Sequence, residues 1–337
     1  MILIDAVYIN VTGGKILLDL LIDELENQDL EIFYLLDYRI IDSHPIIAKK
    51  NQIKYLKGSL INRLIFYKKY GKNFNKILCF GNFPPPIKLD ATVYTYFQNV
   101  LLAKNKFISI TWFLKRIIFT IYAKNTNFWV VQTPSVEKLL KNYLKLNKSI
   151  LIFPFFKEFN VNHKNDKKLI NPKKGINFLY VSSAEYYKNH KNLIKAFIKY
   201  NNINKLSTLT LTVSEDYQEV CKLINNSVDD GVKIINKGFI NKELLINEYE
   251  QADVFIFPSS YESFGLGLVE ALQFNLIVLA SNLDYVFDVI TPSGTFNPND
   301  VNSIYKSMID YETFNKRKSK IIVKNSLKEM VETIFLN

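Results

Sequence analysis

Phe257-Pro258-Ser259-Ser260-Tyr261-Glu262-Ser263-Phe264-Gly265-Leu266-Gly267-Leu268-Val269-Glu270-Ala271-Leu272 is the stretch that decides the fold. Ahead of it, Val254-Phe255-Ile256-Phe257 is a short apolar run of strand type. Beyond it, Leu268, Val269, Ala271 and Leu272 fall at helical spacing, and Ile277-Val278-Leu279-Ala280 is a second apolar run. Strand, polar loop, helix and strand in that order are half of a parallel α/β sheet.

The loop and the first helical turn hold the chemistry. Gly265 lets backbone come close to a ligand, and the N–H groups of Phe264, Gly265 and Leu266 open the helix, where the positive end of the dipole suits a phosphate. Glu262 precedes that opening and Glu270 follows it inside the helix. A carboxylate beside a phosphate is unfavourable unless it faces hydroxyls, from which it accepts two hydrogen bonds at once. A phosphate flanked by two glutamates therefore suggests a ligand with a diol on either side, the pattern of a nucleoside diphosphate sugar.

Glu262 and Glu270, with Phe-Gly-Leu between them, resemble the paired-glutamate motif of retaining glycosyltransferases of the GT-B fold, family four (glycosyl transferases group 1), of the bacterial surface-polysaccharide type. The similarity continues through Ala280-Ser281 and Phe296-Asn297-Pro298-Asn299-Asp300. It covers residues 176–300 well and the first half only loosely. It implies an α/β protein of GT-B architecture, two Rossmann-like domains with parallel sheets facing a central cleft. Glu270 would hold the ribose diol and Glu262 the sugar hydroxyls near the reacting carbon. The Phe264, Gly265 and Leu266 amides would bind the diphosphate.

Ser182-Ser183-Ala184-Glu185-Tyr186-Tyr187-Lys188-Asn189-His190 resembles the family's lysine loop. Lys188 would neutralise charge growing on the leaving diphosphate. The family usually has an arginine where this chain has Ser183, so one phosphate clamp is missing or supplied elsewhere. Gly238, Phe239 and Ile240 match a loop whose backbone often reads the nucleotide base. Gly13 and Gly14, between a first strand and an apolar helix at 16–25, suit close approach to a diphosphate, or form a plain turn. Asn82, after the strand at 77–80, and Asn99, closing a strand expected over 93–99, lie at the sheet edge where α/β proteins bind ligands. They are the acceptor-side candidates, although Gln98-Asn99 stands where the family often has a histidine.

The domain reading is an acceptor-binding domain at 1–156, a polar linker at 157–175, a nucleotide-sugar domain at 176–310, and C-terminal helices at 311–337 that cross back in related folds. The tail from 304 to 336 reads as helical.

Composition narrows the function further. The 337 residues suffice for two cores, and 48% hydrophobic with 22% charged residues is ordinary for a globular protein. Cys79 and Cys221 read as free thiols in a reducing compartment, and the three histidines lack metal-ligand spacing. Neither a metal nor a cofactor is expected; the donor is a substrate. The start runs into a strand pattern without a basic leader, and no apolar run reaches the ~18 residues that span a bilayer. The expected place is the cytoplasm, peripheral at the inner membrane face.

The net charge of +11 is uneven. Residues 51–155 hold seventeen basic and two acidic side chains, while residues 1–50 hold four and nine. Such asymmetry implies an acidic partner for the basic region. Residues 55–70 and 112–124 read as basic helices, the first with an apolar stripe that Lys54, Lys57, Arg63, Lys68 and Lys69 flank or interrupt, suited to a membrane surface or to a core with a solvated basic face. The expected partners are a nucleotide-sugar donor, UDP ahead of GDP, a glycan or lipid-linked glycan acceptor, and an anionic membrane surface. The product would be lipopolysaccharide O-antigen or capsule, made by hexosyl or N-acetylhexosaminyl transfer. A nucleotide-sugar epimerase of the same fold, or a basic nucleic-acid-binding protein, is the alternative; no nucleic-acid motif accompanies the charge. A dinucleotide dehydrogenase is disfavoured because Glu270 occupies the third glycine position after Gly265-Leu266-Gly267.

Overall fold

The computed structural model describes residues 1–104, 109–147, 149–159, 175–310 and 317–336. The chain divides into two compact units, Met1–Lys157 with Lys324–Asn337, and Glu158–Val323. Residues 160–174 of the linker expected at 157–175 lie outside the described residues.

In the first unit, strands and helices alternate as β1 (Ile2–Ala6), α1 (Thr12–Glu26), β2 (Ile32–Asp37), β3 (Gln52–Leu56), α2 (Leu60–Tyr70), β4 (Lys76–Cys79), β5 (Thr92–Tyr96), α3 (Ile110–Tyr122), β6 (Phe128–Val131), α4 (Pro134–Leu144) and β7 (Leu151–Ile152). Among the described residues these strands make a seven-stranded sheet in the order β3-β2-β1-β4-β5-β6-β7, every pair parallel. Strand β2 is buried along its whole length, as a strand covered by helices on both faces must be. Right-handed crossovers put α2, α3 and α4 on one face, because all three carry the chain the same way across the sheet, and α1 on the other.

The second unit runs β8 (Asn177–Tyr180), α5 (His190–Ile203), β9 (Thr208–Leu211), α6 (Gln218–Asp229), β10 (Ile234–Asn236), α7 (Lys242–Gln251), β11 (Val254–Phe257), α8 (Leu266–Gln273), β12 (Ile277–Ser281), α9 (Asp284–Val289), β13 (Ile290–Thr291), β14 (Gly294–Phe296), α10 (Val301–Ile309) and β15 (Lys320–Ile321). Its six-stranded parallel sheet has the order β10-β9-β8-β11-β12-β14, and β13 pairs antiparallel with β15. The last α-helix, α11 (Leu327–Val331), continued by a π-helical turn at Glu332–Leu336, belongs to the first unit. There it packs on α1, with the Ser326 amide donating to the Pro154 carbonyl at 2.7 Å.

Three expectations are corrected. The helix expected over 55–70 begins only at Leu60, capped by the Ser59 hydroxyl, because Tyr55 and Leu56 pair with Leu36 and Asp37 as a strand. The glycines at 13 and 14 lie in the first turn of α1, not ahead of it, since the helix starts at Thr12. The tail is no continuous helix: residues 320–321 are a strand, and 311–316 lie outside the described residues.

Arg63 is a fourth correction. It is not a solvated flank of an apolar stripe but only 2% exposed, at the centre of the first unit. Its Nε donates to Asp5 Oδ2 at 2.7 Å, Nη1 to the Pro84 carbonyl at 2.8 Å, and Nη2 to the Phe83 carbonyl at 2.7 Å. The Tyr67 hydroxyl donates to the same Asp5 oxygen at 2.6 Å. Cys79 touches the guanidinium through its sulfur, and burial pushes its thiol up to about 12. One ion pair thus ties β1, α2 and the loop after β4. Removing one partner leaves a buried charge unanswered, so Asp5→Ala should cost about 3–5 kcal/mol in urea unfolding. The double variant Asp5→Leu with Arg63→Met should recover most of that loss; if it unfolds as readily as the single variant, the pair is not what holds these elements.

Candidate active site

In the second unit the loops after β8 and β11 leave adjacent strands at their carboxyl ends. They are fastened together. The Ser260 amide donates to the Tyr187 carbonyl at 2.7 Å, and Asn189 Nδ2 donates to the carbonyls of Pro258 and Pro298 at 3.1 and 2.6 Å. The Tyr180 hydroxyl donates to the Lys188 carbonyl at 2.9 Å and lies 3.0 Å from Ser259 Oγ. Tyr285 donates to the Ser259 carbonyl at 2.7 Å. Asn189 adopts a left-handed backbone, φ 65°, which Asn tolerates better than most residues, and there the chain turns into α5.

This fastening brings Lys188 and Glu262 together from 74 positions apart: Nζ lies 2.7 Å from Oε1, with both side chains mostly buried. Three residues beyond Glu262 the chain enters α8. Gly265 stands before it at φ 86°, where a side chain would be strained, and a Cβ there would sit 3.0 Å from Leu268 Cδ1. The opening amides of α8 therefore sit on a turn that glycine alone makes easily. On α8 itself, Glu270 Oε2 accepts from the Tyr249 hydroxyl at 2.8 Å. Tyr249 is buried and stacked on Phe274 at 5.1 Å, so it fixes that carboxylate from behind.

Ser183 carries no charge to a ligand; its hydroxyl donates to Glu185, whose other oxygen accepts from Tyr217 at 2.7 Å. Burial, with the Glu185 hydrogen bond, pushes the Tyr217 phenol up to about 12. Gly238, Phe239 and Ile240 follow β10 at the far edge of the sheet. Gly238 is left-handed, φ 66°, and Phe239 is 89% exposed.

The remaining candidates belong to the first unit. Asn82, left-handed at φ 71°, accepts the Gln98 and Asn99 amides on Oδ1 at 2.7 and 2.8 Å. Asn99 Oδ1 in turn accepts the Leu101 amide at 3.2 Å. Gly81 makes this possible, because a Cβ there would lie 2.4 Å from the Val7 carbonyl oxygen. Gln98 Oε1 would lie 3.6 Å from a Cβ on Gly14. Gly14, Gln98, Asn82 and Asn99 thus gather at the carboxyl edge of β1, β4 and β5, with both asparagine side-chain oxygens committed to holding loops.

Sequence reasoning assigned no role to Glu185, Tyr217, Tyr249, Tyr180 or Ser259. Glu185 stood in the lysine loop and could have been noticed there. A tyrosine on an amphipathic helix, as Tyr249 is, carries no signal. Among the described residues no group of three or more His, Cys, Asp or Glu side chains could hold a metal ion.

Residues 161–328 match the glycosyl transferases group 1 family. The chain belongs to that family. The group 1 match spans β8 to β15 and contains the whole Lys188–Glu262–Glu270 constellation. The chain is 32% identical over 95 residues to the serotype-specific mannosyltransferase WbdA of Escherichia coli, an alignment covering 28% of this chain and 12% of that protein. To the O-antigen chain mannosyltransferase B of Escherichia coli it is 28% identical over 130 residues, 37% of this chain and 34% of that one. The chain thus spans about a tenth to a third of the length of these curated relatives. Sucrose-phosphate synthase from Thermosynechococcus elongatus superposes with a TM-score of 0.74 at 16% identity, over 99% of this chain and 94% of that one. That likeness shows the fold, GT-B, with its two Rossmann-like units. Glycosyl transfer is the activity that the family's name describes.

His190 supplies a pH test of the lysine loop. It opens α5 with its ring against Tyr180 at 4.7 Å, buried, and among the described residues neither ring nitrogen has a hydrogen-bond partner. Burial, with Lys188 nearby, lowers its pKa from 6.5 to about 3. Between those values the unfolded chain binds a proton that the folded chain refuses, so stability falls as pH falls through that window. In urea melts, wild type should lose about 1.4 kcal/mol more per pH unit below 6 than His190→Leu. Parallel pH profiles would show that His190 accepts its proton in the folded state.

Proposed function

We propose that this group 1 protein moves a hexosyl group from a nucleoside diphosphate sugar to a hydroxyl of a glycan, with the anomeric configuration retained. The observation that carries the reading is the Lys188–Glu262 pair, set beside the glycine-led opening of α8. A diphosphate at that opening meets the amides of the first turn and the Lys188 ammonium, the donors that stabilise a departing anion. In this reading Glu262 accepts from sugar hydroxyls and Glu270 from the ribose diol, a role supported by the Tyr249 hydroxyl that holds its other side.

The bond between the anomeric carbon and the phosphate oxygen breaks, and the diphosphate leaves with the electron pair. The acceptor oxygen bonds to that carbon on the same face, and its proton passes to the departing phosphate. Glu262 acts as a binder in this scheme and forms no covalent intermediate. No metal ion takes part in it.

A mannosyl donor is supported by the names of the curated relatives, and an O-antigen or related surface glycan by one of them. For the nucleotide, uridine is put ahead of guanosine, and the nucleotide titration decides between them. A lipid-linked glycan acceptor is supported by the basic excess in residues 51–155, which would meet anionic headgroups at the membrane face. No helix among the described residues is long and apolar enough to cross a membrane.

Thermal unfolding with UDP, GDP, ADP and NAD tests the donor. A nucleotide at ~100 times its Kd should stabilise the protein by ~2.7 kcal/mol, and Glu270→Ala should abolish the shift. Lys188→Ala should slow transfer by about 10²–10³ at saturating donor. A shift with NAD alone, or full activity in Lys188→Ala, would sink this reading.

A further inference from the structure

Helix α3 has the wrong surface for a helix that only closes a core. Nine of its thirteen residues are Ile, Leu, Phe, Trp or Tyr, yet Phe119 alone among them is buried. Phe119 anchors the helix, packing on Phe83, Phe97, Trp129 and Tyr143. On the outside Ile110, Phe113, Leu114, Ile117 and Ile121 are each 40–63% exposed. Their spacing, i, i+3, i+4, i+7 and i+11, makes one unbroken stripe along the helix.

A stripe of this kind on a soluble domain marks an interaction surface, and the charge around it selects the partner. Lys124 is exposed at its C-terminal end, while Lys115 and Arg116 lie round the helix from the stripe, over the Trp112 and Tyr143 rings at 5.4 Å each. On the same face of the sheet, α2 presents Ile61 and Ile65, 68% and 58% exposed, with Lys57, Lys68 and Lys69 one to two turns away. The two helices flank one loop, since Arg63 of α2 donates to the Phe83 carbonyl and the Phe83 ring meets Phe119 of α3. The only acidic residues from 51 to 155 are Asp90 and Glu137, and Glu137 is engaged by Lys141 at 2.6 Å.

We propose that the outer face of α3, with Ile61 and Ile65 of α2 beside it, is the surface by which the first unit enters an anionic lipid bilayer. Aliphatic and aromatic side chains reach the acyl boundary while the lysines meet lipid phosphates, the arrangement of an interfacial amphipathic helix. A second copy of the chain would bring lysines against lysines across the stripe. A nucleic acid would leave Ile110, Leu114, Ile117 and Ile121 with nothing to stack on. The inference rests on the proposed lipid-linked acceptor for its purpose, but nucleotide binding by the second unit is measured independently of it.

The chain's two tryptophans both turn away from the stripe, Trp129 buried in the core and Trp112 part-buried on the side of α3 that Phe119 anchors, so Phe113→Trp supplies a reporter on the surface itself. The full chain carrying that reporter is titrated with phosphatidylcholine vesicles, with and without phosphatidylglycerol, in low and high salt. The expected result is a blue shift of emission with the anionic vesicles, protection from acrylamide and quenching by brominated acyl chains, all much weaker in the wild-type chain. The triple variant Phe113→Ser, Leu114→Ser, Ile117→Ser should partition at least about tenfold more weakly, with its midpoint of unfolding and its nucleotide shift kept, because the three side chains are exposed. Three results would overturn the proposal: wild type remaining with the supernatant, the triple variant binding as well as wild type, or a vesicle-free dimer that the serines dissolve. A nucleotide shift that survives alongside any of these would leave the donor reading standing.

Discussion

A guanidinium shut away from water needs every donor answered by protein, and in the first unit Arg63 makes that demand at the middle of the sheet. Asp5 supplies the countercharge from β1, while the Phe83 and Pro84 carbonyls meet Nη2 and Nη1 from the loop after β4. The pair is worth little as attraction, because both ions have lost their hydration; its force is that no other arrangement satisfies them. Loop position follows. With the Phe83 and Pro84 carbonyls pinned, Gly81 must run against Val7 and Asn82 must turn left-handed. That turn lets one asparagine oxygen gather the Gln98 and Asn99 amides. A charge pair in the core thereby fixes polar groups at the sheet edge.

The second unit reaches a similar end with neutral groups. Buried tyrosine hydroxyls from β8 and α9 both find Ser259, directly or through its carbonyl, and the Asn189 amide closes on two proline carbonyls. Proline carbonyls at 258 and 298 accept without offering an amide of their own, so the loops meet through side chains instead of through a continued ladder. Lys188 and Glu262 are carried in on these loops.

The sequence was most legible where chemistry and backbone coincide. Gly265 between an apolar run and a helical one announces an open helix start, and α8 begins at Leu266 directly behind it. The lysine loop was legible as a loop because Lys-Asn precedes a periodic apolar run. Periodicity misled at residues 55–59, where apolar and basic residues suit helix and edge strand alike, and the parallel register with β2 decided the matter. Arg63 was read by its charge, since a single sequence gives no sign of the acceptors that make its burial tolerable. Tyr249 and Tyr217 were invisible for a related reason: their value lies in a hydroxyl meeting a glutamate 21 or 32 positions away.

The charge balance of the second unit's loops bears on what can bind there. Lys188 is committed to Glu262, and Glu185 is held by two hydroxyls, one of them from Ser183, the position at which the resemblance leads one to expect an arginine. A ligand that brought only negative charge would meet two carboxylates and one ammonium already paired. A ligand that also brings hydroxyls changes that balance, because Glu262 can exchange the ammonium for sugar hydroxyls while Lys188 turns to phosphate. The α8 amides contribute positive potential that no carboxylate cancels by proton transfer. On the proposed reading, then, the pair acts as a filter: it yields to a diphosphate and a polyol presented together, and to neither as readily alone.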